Sequence, residues 1–344
     1  MSFRRFFLVR LAWATLGIWL AVTLAFGAAI GRAPPRVRII CGGERASNSC
    51  IDPRFEDYDD VHSVPERYRH FLSRLVRDGS AGVSRLGGQD TGRLARAALP
   101  VTASVVALAL LLAMGTAVLL ASLRGRSARL LGYLSAGSFA AFLFGLWVSY
   151  LFGAKLGRAP PSGYCDVFHA HSDCGGVFDW LSHLIVPAAL LAIFPAAVYA
   201  RLLREGRSLL RKSDETAQAV RRLGLPLLRV AGRDFGFLIG AAVFVESAFS
   251  LPGLGQMVAT GTTGFDRLAL ETTLVYAAVL AIAVHFLVDV IVAAFDPDLR
   301  AGWPFADMPS PVRVSAVPVP PRPDERFPLR PAIKRRRLFG TGGP

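Results

Sequence analysis

Six long stretches of this 344-residue chain carry at most one charged side chain each, and they limit what the chain can fold into. Each is between 17 and 27 residues long. A helix needs about 20 apolar residues to cross a bilayer core about 30 Å thick. Five stretches meet that length, whereas the fifth in order is shorter and contains Glu246. The pattern predicts an all-α polytopic membrane protein with six transmembrane helices, over residues 11–30, 97–123, 130–154, 180–200, 235–251 and 272–295.

The composition agrees with this prediction. Apolar residues, counting Cys and the aromatic residues, make up 53% of the chain, and charged residues only 19%. Soluble proteins contain about 25% charged residues. So high an apolar content excludes disorder over most of the chain.

The net charge of +14 could suggest a nucleic-acid partner, but its distribution follows the membrane topology. The predicted helices divide the connecting segments into two groups, whose net charges are +15 and +1. Basic residues accumulate on the cytoplasmic side of membrane proteins. We therefore expect a bacterial inner-membrane protein with both termini in the cytoplasm, and no nucleic-acid partner. The +15 group consists of 1–10, 124–129, 201–234 and 296–344, and the other of 31–96, 155–179 and 252–271.

The first apolar stretch has a second interpretation, a cleaved signal peptide. Arg4, Arg5 and Arg10 precede it, and small residues near its end could form a cleavage site. The run of 20 residues is longer than the apolar region of a usual signal peptide, and more spans follow. These facts favour an uncleaved first span.

The external segment 31–96 contains an amphipathic pattern. Tyr68, Phe71, Leu72 and Leu75 recur at helical spacing, which predicts a helix on the membrane face or against the spans. An acidic run over 56–60 is interpreted as a solvated loop, with a cation site as the alternative.

All four cysteines fall in the predicted external loops, as two pairs with eight intervening residues each. Outside the cytoplasm such thiols tend to oxidise. Of the three possible pairings, we favour two local disulfides. Histidines near the second pair leave a metal site as an alternative, but no usual zinc spacing occurs and we expect no metal. The favoured bridges are Cys41–Cys50 and Cys165–Cys174.

Few ionisable residues lie within the predicted spans. They are His183, Glu246, His285 and Asp289. His285 and Asp289 are four residues apart, so they share a helix face and could relay protons. The alternative is a polar contact that fixes helix packing. No P-loop motif occurs, so we expect no ATP site of that type in this chain.

The cytoplasmic loop 201–234 contains signals for a short, exposed helix. Ser213 or Asp214 can cap its start. Gly224 suits a left-handed end, and Pro226 bars continuation. An exposed helix between two spans could be a docking element. The alternative is an ordinary helix within a loop, without a docking role.

Several motifs resemble those of inner-membrane permeases of ABC importers, in particular the dipeptide and oligopeptide permeases. Residues 218–224 resemble the Glu-Ala-Ala…Gly coupling loop, with Gln218 in place of the glutamate. Residues 246–255 match the pattern Glu-x-x-Phe-Ser-x-Pro-Gly-Leu-Gly. Residues 288–300 and 156–164 resemble the end of the last span and the loop after the third.

The resemblance implies two sets of functional residues within a permease domain over 97–300. The coupling set is Glu215, Gln218, Ala219, Val220, Arg221, Arg222, Gly224 and Val230. The translocation set is Glu246, Ser250, Pro252, Gly253, Gly255, His285 and Asp289. The insert over 31–96 and the Pro-rich basic tail over 301–344, expected near anionic membrane lipid, are additions to the pattern.

The resemblance also implies a function. It predicts a type I importer permease that moves a small solute, a di- or oligopeptide, by alternating access. The implied partners are a second permease, two ATPase subunits and an external solute-binding protein. The ATPases would bind ATP and Mg²⁺, so this chain is not expected to be an enzyme or to hold a cofactor.

Other functions remain open at this stage. Nickel or a sugar is an alternative substrate. A proton-coupled carrier would use His285, Asp289 and Glu246. A degenerate permease acting as an assembly subunit would explain the altered coupling loop.

The charge asymmetry yields a prediction about topology. Reporter fusions at Ser127 and Asp214 should give cytoplasmic signal, whereas a fusion at Gln89 should give external signal. A cytoplasmic reporter at Gln89 would contradict the predicted orientation.

Overall fold

The computed structural model describes residues 2–30, 63–84, 88–122, 164, 176–210, 223–264 and 266–295. These residues form seven helices within the described ranges. They are α1 (Phe3–Ile30), α2 (Val64–Asp78), α3 (Thr91–Ser122), α4 (Val177–Leu210), α5 (Leu225–Phe249), α6 (Leu254–Thr263) and α7 (Arg267–Phe295).

Four of these helices, α1, α3, α4 and α7, are long and apolar enough to cross a membrane. Helices α5 and α6 meet the same test as a pair bent by 74° and supply a fifth candidate. The all-helical prediction is confirmed. The predicted third span over 130–154, the four cysteines and the tail over 301–344 lie outside the described residues.

Two helices extend into the predicted loop 201–234. Helix α5 begins at Leu225, ten residues before the predicted span over 235–251, and α4 continues to Leu210. Both ends of the predicted loop 201–234 are therefore helical. The predicted spans contain only uncharged or nearly uncharged stretches, so they leave out these charged helix ends. A helix that continues beyond the apolar core of the membrane can carry charge.

Helices α3 and α4 form the most extensive contact among the described elements. They meet through small side chains: Ala113, Ala117, Ala192 and Ala196 are all buried. Small residues let two helix backbones approach closely, which replaces the hydrophobic driving force that is weak in lipid. Pro100 lies inside α3 without ending it.

Helix α5 runs antiparallel to α3, α4 and α7. Near its start, Leu225 packs against Val288 and Val292 close to the end of α7. Gly232 also abuts Val288, since an added Cβ would lie 2.9 Å from that side chain. Helix α1 runs antiparallel to α7 as well. The beginnings of α1 and α5 therefore share one side of the bundle with the end of α7.

The amphipathic helix expected around Tyr68–Leu75 is confirmed as α2. The Glu66 carboxylate accepts the backbone N–H of Ser63 at 3.1 Å, which satisfies a donor at the helix start. The apolar face of α2 packs on α1 and α7, where Phe71 meets Phe26 and Val275.

The segment after α2 is attached to α7 by buried hydroxyl groups. The Thr272 Oγ1 accepts the backbone N–H of Ala81 at 3.1 Å and lies 2.8 Å from the Thr91 Oγ1. Ser84 donates to the carboxylate of Asp266. This network fixes the start of α3 beside the start of α7.

The alanine interface predicts how the bundle responds to a larger side chain. Ala113→Leu should destabilise the chain by about 1–3 kcal/mol, because the added carbons have no space between α3 and α4. Leu119→Ala, at a side chain that is 69% exposed, is the control and should have little effect. Thermal unfolding in detergent measures both, and equal stability of the two variants would contradict this packing.

Candidate functional site: an elbow capped by a buried carboxylate

The motif over 246–255 forms a sharp elbow between α5 and α6. Helix α5 ends at Phe249, and Ser250 adopts a left-handed conformation with φ 53°. Its backbone N–H still donates to the carbonyl of Glu246. Pro252 then cannot extend the helix, and α6 leaves at 74° to α5.

The side chain of Glu246 lies at the centre of the elbow and is fully buried. Its Oε2 accepts the backbone N–H groups of Gly255 at 2.7 Å and Gln256 at 3.2 Å. Its Oε1 accepts the hydroxyl of Thr102, on α3, at 2.7 Å. The carboxylate therefore joins α3, α5 and α6 at one point.

Thr102 completes the cap of α6. Its Oγ1 accepts the backbone N–H of Leu254 at 2.8 Å while donating to Glu246. The first turn of a helix has N–H groups without intrahelical partners, and the helix dipole favours a negative charge there. Three consecutive N–H groups are thus satisfied by two side chains from other helices.

The two glycines of the motif leave room for this carboxylate. A Cβ at Gly253 would collide with the carboxylate of Glu246. A Cβ at Gly255 would lie 2.6 Å from the Cα of Val243, a backbone atom that cannot rotate away. Each glycine therefore permits a close approach that any side chain would prevent.

His285 and Asp289 meet at the other end of the bundle, as their spacing predicts. The His285 Nε2 lies 3.4 Å from the Asp289 Oδ2. The same oxygen forms an ion pair with Arg10 of α1, at 3.1 Å from its Nη2. Asp289 is 2% exposed, so this ion pair fixes α1 against α7.

Glu246 is not part of that cluster. Fourteen residues of α5 separate it from Gly232, which packs on α7 beside Asp289. At 1.5 Å per residue, this is about 21 Å. His183 is separate too, with its Nδ1 2.8 Å from the carbonyl of Asp179.

The expected conformation of Gly224 is wrong. Its φ of −67° and ψ of −48° are right-handed helical, and it leads directly into α5. Pro226 lies in the first turn, where its missing N–H has no cost. A proline suits a helix start as well as the residue after a helix end, and burial of Leu225 and Leu227 selects the start.

The remaining coupling residues are only partly placed. Val230 lies on α5 and packs at the edge of the alanine interface. Glu215, Gln218, Ala219, Val220, Arg221 and Arg222 lie outside the described residues.

Sequence reasoning missed the partners that come from distant helices. Thr102 is 144 residues from Glu246, and its helix shows no signal for a capping role. Tyr199 is fully buried, and its hydroxyl donates to the Asp234 Oδ2 at 3.0 Å, joining α4 to α5. Glu246 is unusual because it is a charged residue within a predicted span. Hydroxyl side chains are common in such spans, so the sequence does not mark Thr102 as the partner of Glu246.

Residues 216–301 match the family described as the binding-protein-dependent transport system inner membrane component. The match includes the motif over 246–255, His285 and Asp289, but not Arg10. It also includes most of residues 211–224, which we call the coupling segment. The predicted resemblance to ABC-importer permeases is confirmed.

Individual proteins are similar over longer stretches. The chain is 25% identical over 316 residues to a probable peptide ABC transporter permease, y4tP, of Sinorhizobium fredii, covering 86% of this chain and 99% of that protein. It is 29% identical over 192 residues to the di/tripeptide permease DppB of Pseudomonas aeruginosa, covering 47% and 57%. It is 25% identical over 283 residues to the glutathione permease GsiC of Pectobacterium atrosepticum, covering 76% and 88%.

The elbow geometry predicts different outcomes for Gly→Ala changes at Gly255, on α6, and at Gly240, on α5. Gly255→Ala should destabilise the chain by about 1–3 kcal/mol, because the new Cβ meets backbone. Gly240→Ala is the matched control, since nothing lies within 4 Å of a Cβ there. Unfolding in detergent should separate the two, and a stable Gly255→Ala variant would show that the elbow is not this tightly packed.

Proposed function

We propose that this chain is the translocating permease subunit of an ATP-driven importer of small peptides. The coarse assignment, an inner-membrane permease, follows from the family match and the apolar helices. The substrate class is inferred from relatives named as peptide, di/tripeptide and glutathione permeases. The subunit works with a second permease, two ATPases and a solute-binding protein.

One observation carries the proposal: α5 connects the coupling segment to the elbow. Helix α5 is 25 residues long, or about 37 Å, which is enough to cross a membrane. It starts directly after the segment over 211–224 and ends at the carboxylate that orients α6. A displacement of the coupling segment would therefore reach the elbow at the other end of α5.

The ends of α4 and α5 nearest the coupling segment are themselves tied. The Tyr199–Asp234 hydrogen bond joins the two helices that enter and leave this segment. Arg204 donates to the carbonyl of Leu120 at 2.9 Å and brings the end of α3 into the same unit. We infer that closure of the ATPases moves α3, α4 and α5 together in the alternating-access cycle.

The helix directions support the proposed six-span topology. Helices α3 and α4 run parallel, so the chain between them has to return across the bilayer. A crossing over 130–154 would accomplish this. Together with the charge asymmetry, it would place both termini and the coupling segment in the cytoplasm.

The carrier alternative gains no support from the described residues. Its three proposed groups are split between two ends of the bundle, and Glu246 already accepts three hydrogen bonds. Asp289 is held in an ion pair with Arg10. ATP-driven transport therefore remains the proposal, with hydrolysis carried out by the separate ATPase subunits.

Charge reversal in the coupling segment tests this function. Replacement of both Arg221 and Arg222 by Glu should lower ATP-dependent uptake of a labelled tripeptide at least tenfold, because the ATPase contact is lost. The measurement uses proteoliposomes that contain the permease, its partner subunits and the binding protein. Membrane abundance should be unchanged, since the sequence predicts that the segment lies outside the spans.

The matched control reverses two arginines in the tail, Arg335 and Arg336, on the same predicted side. It should transport normally. Uptake that continues without ATP would support the carrier, and normal uptake in the 221/222 variant would remove the coupling role. Normal assembly without uptake in the wild type would support the assembly-subunit alternative.

A further inference from the structure

One flank of α2 leaves apolar side chains outside the helix bundle. Phe71 is buried against α1 and α7, and Leu72 is partly covered by the same cluster. Val76, one helical turn after Leu72, is 84% exposed, and Pro65 on the same flank is exposed as well. Residues four and seven apart lie on one side of a helix. The apolar face of α2 is therefore wider than its contact with the bundle.

Helix α2 lies level with the end of a helix that is long enough to span the membrane. The Tyr68 hydroxyl is 2.7 Å from the Thr23 Oγ1, and the ring centroids of Tyr68 and Phe26 are 5.1 Å apart. Thr23 and Phe26 belong to the last three turns of α1. Leu24, between them, is 63% exposed, which suits contact with lipid. Helix α2 is therefore at the border of the apolar membrane core, where its uncovered flank meets lipid.

Two arginines lie beside this flank. Arg69 is seven residues before Val76 and Arg77 follows it directly, and both side chains are exposed. Among the residues that the structure describes, neither guanidinium group forms an ion pair or a hydrogen bond. Glu66 is engaged at the helix start, where it accepts two hydrogen bonds, and Asp78 lies about 200° around the helix from Val76. Helix α2 has four arginines against two acids, a net charge of +2.

The combination of an apolar flank and adjacent arginines matches the chemistry of a phospholipid surface. The carbon stem of an arginine lies along apolar groups while its guanidinium group reaches outward. That group binds phosphate oxygens with several donors at once. A soluble acidic partner would use the arginines, but it would not account for the exposed Val76 at the border of the membrane core.

We propose that α2 binds anionic phospholipid headgroups in the leaflet at the C-terminal end of α1. Val76 and Pro65 lie among the outermost acyl carbons, and Arg69 and Arg77 donate to phosphate oxygens. Helices with one apolar and one basic side lie in this way in the plane of a membrane surface. Since the segment after α2 is bonded to Thr272 of α7, bound lipid would also stabilise the start of α7. The proposal does not rest on the transported substrate or on the partner subunits.

Photo-crosslinking identifies what contacts the exposed flank. The full-length chain with Val76→p-benzoylphenylalanine, together with the subunits that co-purify with it, is reconstituted in nanodiscs of phosphatidylglycerol and phosphatidylcholine in equal amounts. Irradiation should attach a phospholipid at position 76, which mass spectrometry detects as an added lipid mass. Gln89, eight residues before the predicted span over 97–123, is the control position and should capture no lipid. Capture of another protein instead of lipid at position 76, or equal lipid capture at both positions, would overturn the proposal.

The lipid preference tests the role of the arginines. In the same nanodiscs, position 76 should capture phosphatidylglycerol at least about threefold more often than phosphatidylcholine, because the arginines attract the anionic headgroup. Replacement of both Arg69 and Arg77 by Gln should reduce this ratio to about one. Arg4 and Arg5 are also exposed but lie at the other end of α1, so their replacement by Gln is the matched control and should leave the ratio unchanged. A preference that persists in the 69/77 variant, or that is lost in the 4/5 variant, would contradict the proposal.

Discussion

A helix that starts inside an apolar bundle needs acceptors for its first N–H groups, and this constraint determines the architecture around α6. Lipid and apolar side chains offer none, so each unsatisfied group costs several kcal/mol. The chain meets the constraint with a carboxylate from the preceding helix and a hydroxyl from α3. The buried negative charge is in turn stabilised by the donors and by the positive end of the α6 dipole.

This solution sets conditions on the rest of the motif. The carboxylate reaches α6 because the left-handed Ser250 ends α5 and the chain bends by 74° there. It fits because Gly253 and Gly255 have no side chains. The motif over 246–255 is thus the set of residue types that lets the Glu246 carboxylate cap the neighbouring helix α6. Its structural consequence is the 74° bend between α5 and α6.

The sequence predicts the helical class, because long apolar stretches leave few alternatives in a membrane. It predicts the His285–Asp289 contact too, since four residues bring two side chains together within one helix. It does not predict Thr102 or Arg10 as partners, because their contacts depend on how separate helices pack. The conformation of Gly224 was misjudged because a proline two residues later is compatible with a helix end and with a helix start. Burial of Leu225 and Leu227, a tertiary effect, decides between them.

The two ends of α5 differ in how they are held, and this difference bears on how the helix could transmit motion. At the elbow, buried hydrogen bonds fix α5 to α3 and α6 with no space beside the motif glycines. At its start, α5 packs on α4 through Leu227, Ala231 and the Tyr199 hydroxyl, and on α7 through Leu225 and Gly232. It also borders a crevice beside α1 and α7. Under the proposed function, a displacement of the coupling segment would act first on these mainly apolar contacts and would reach the elbow through α5.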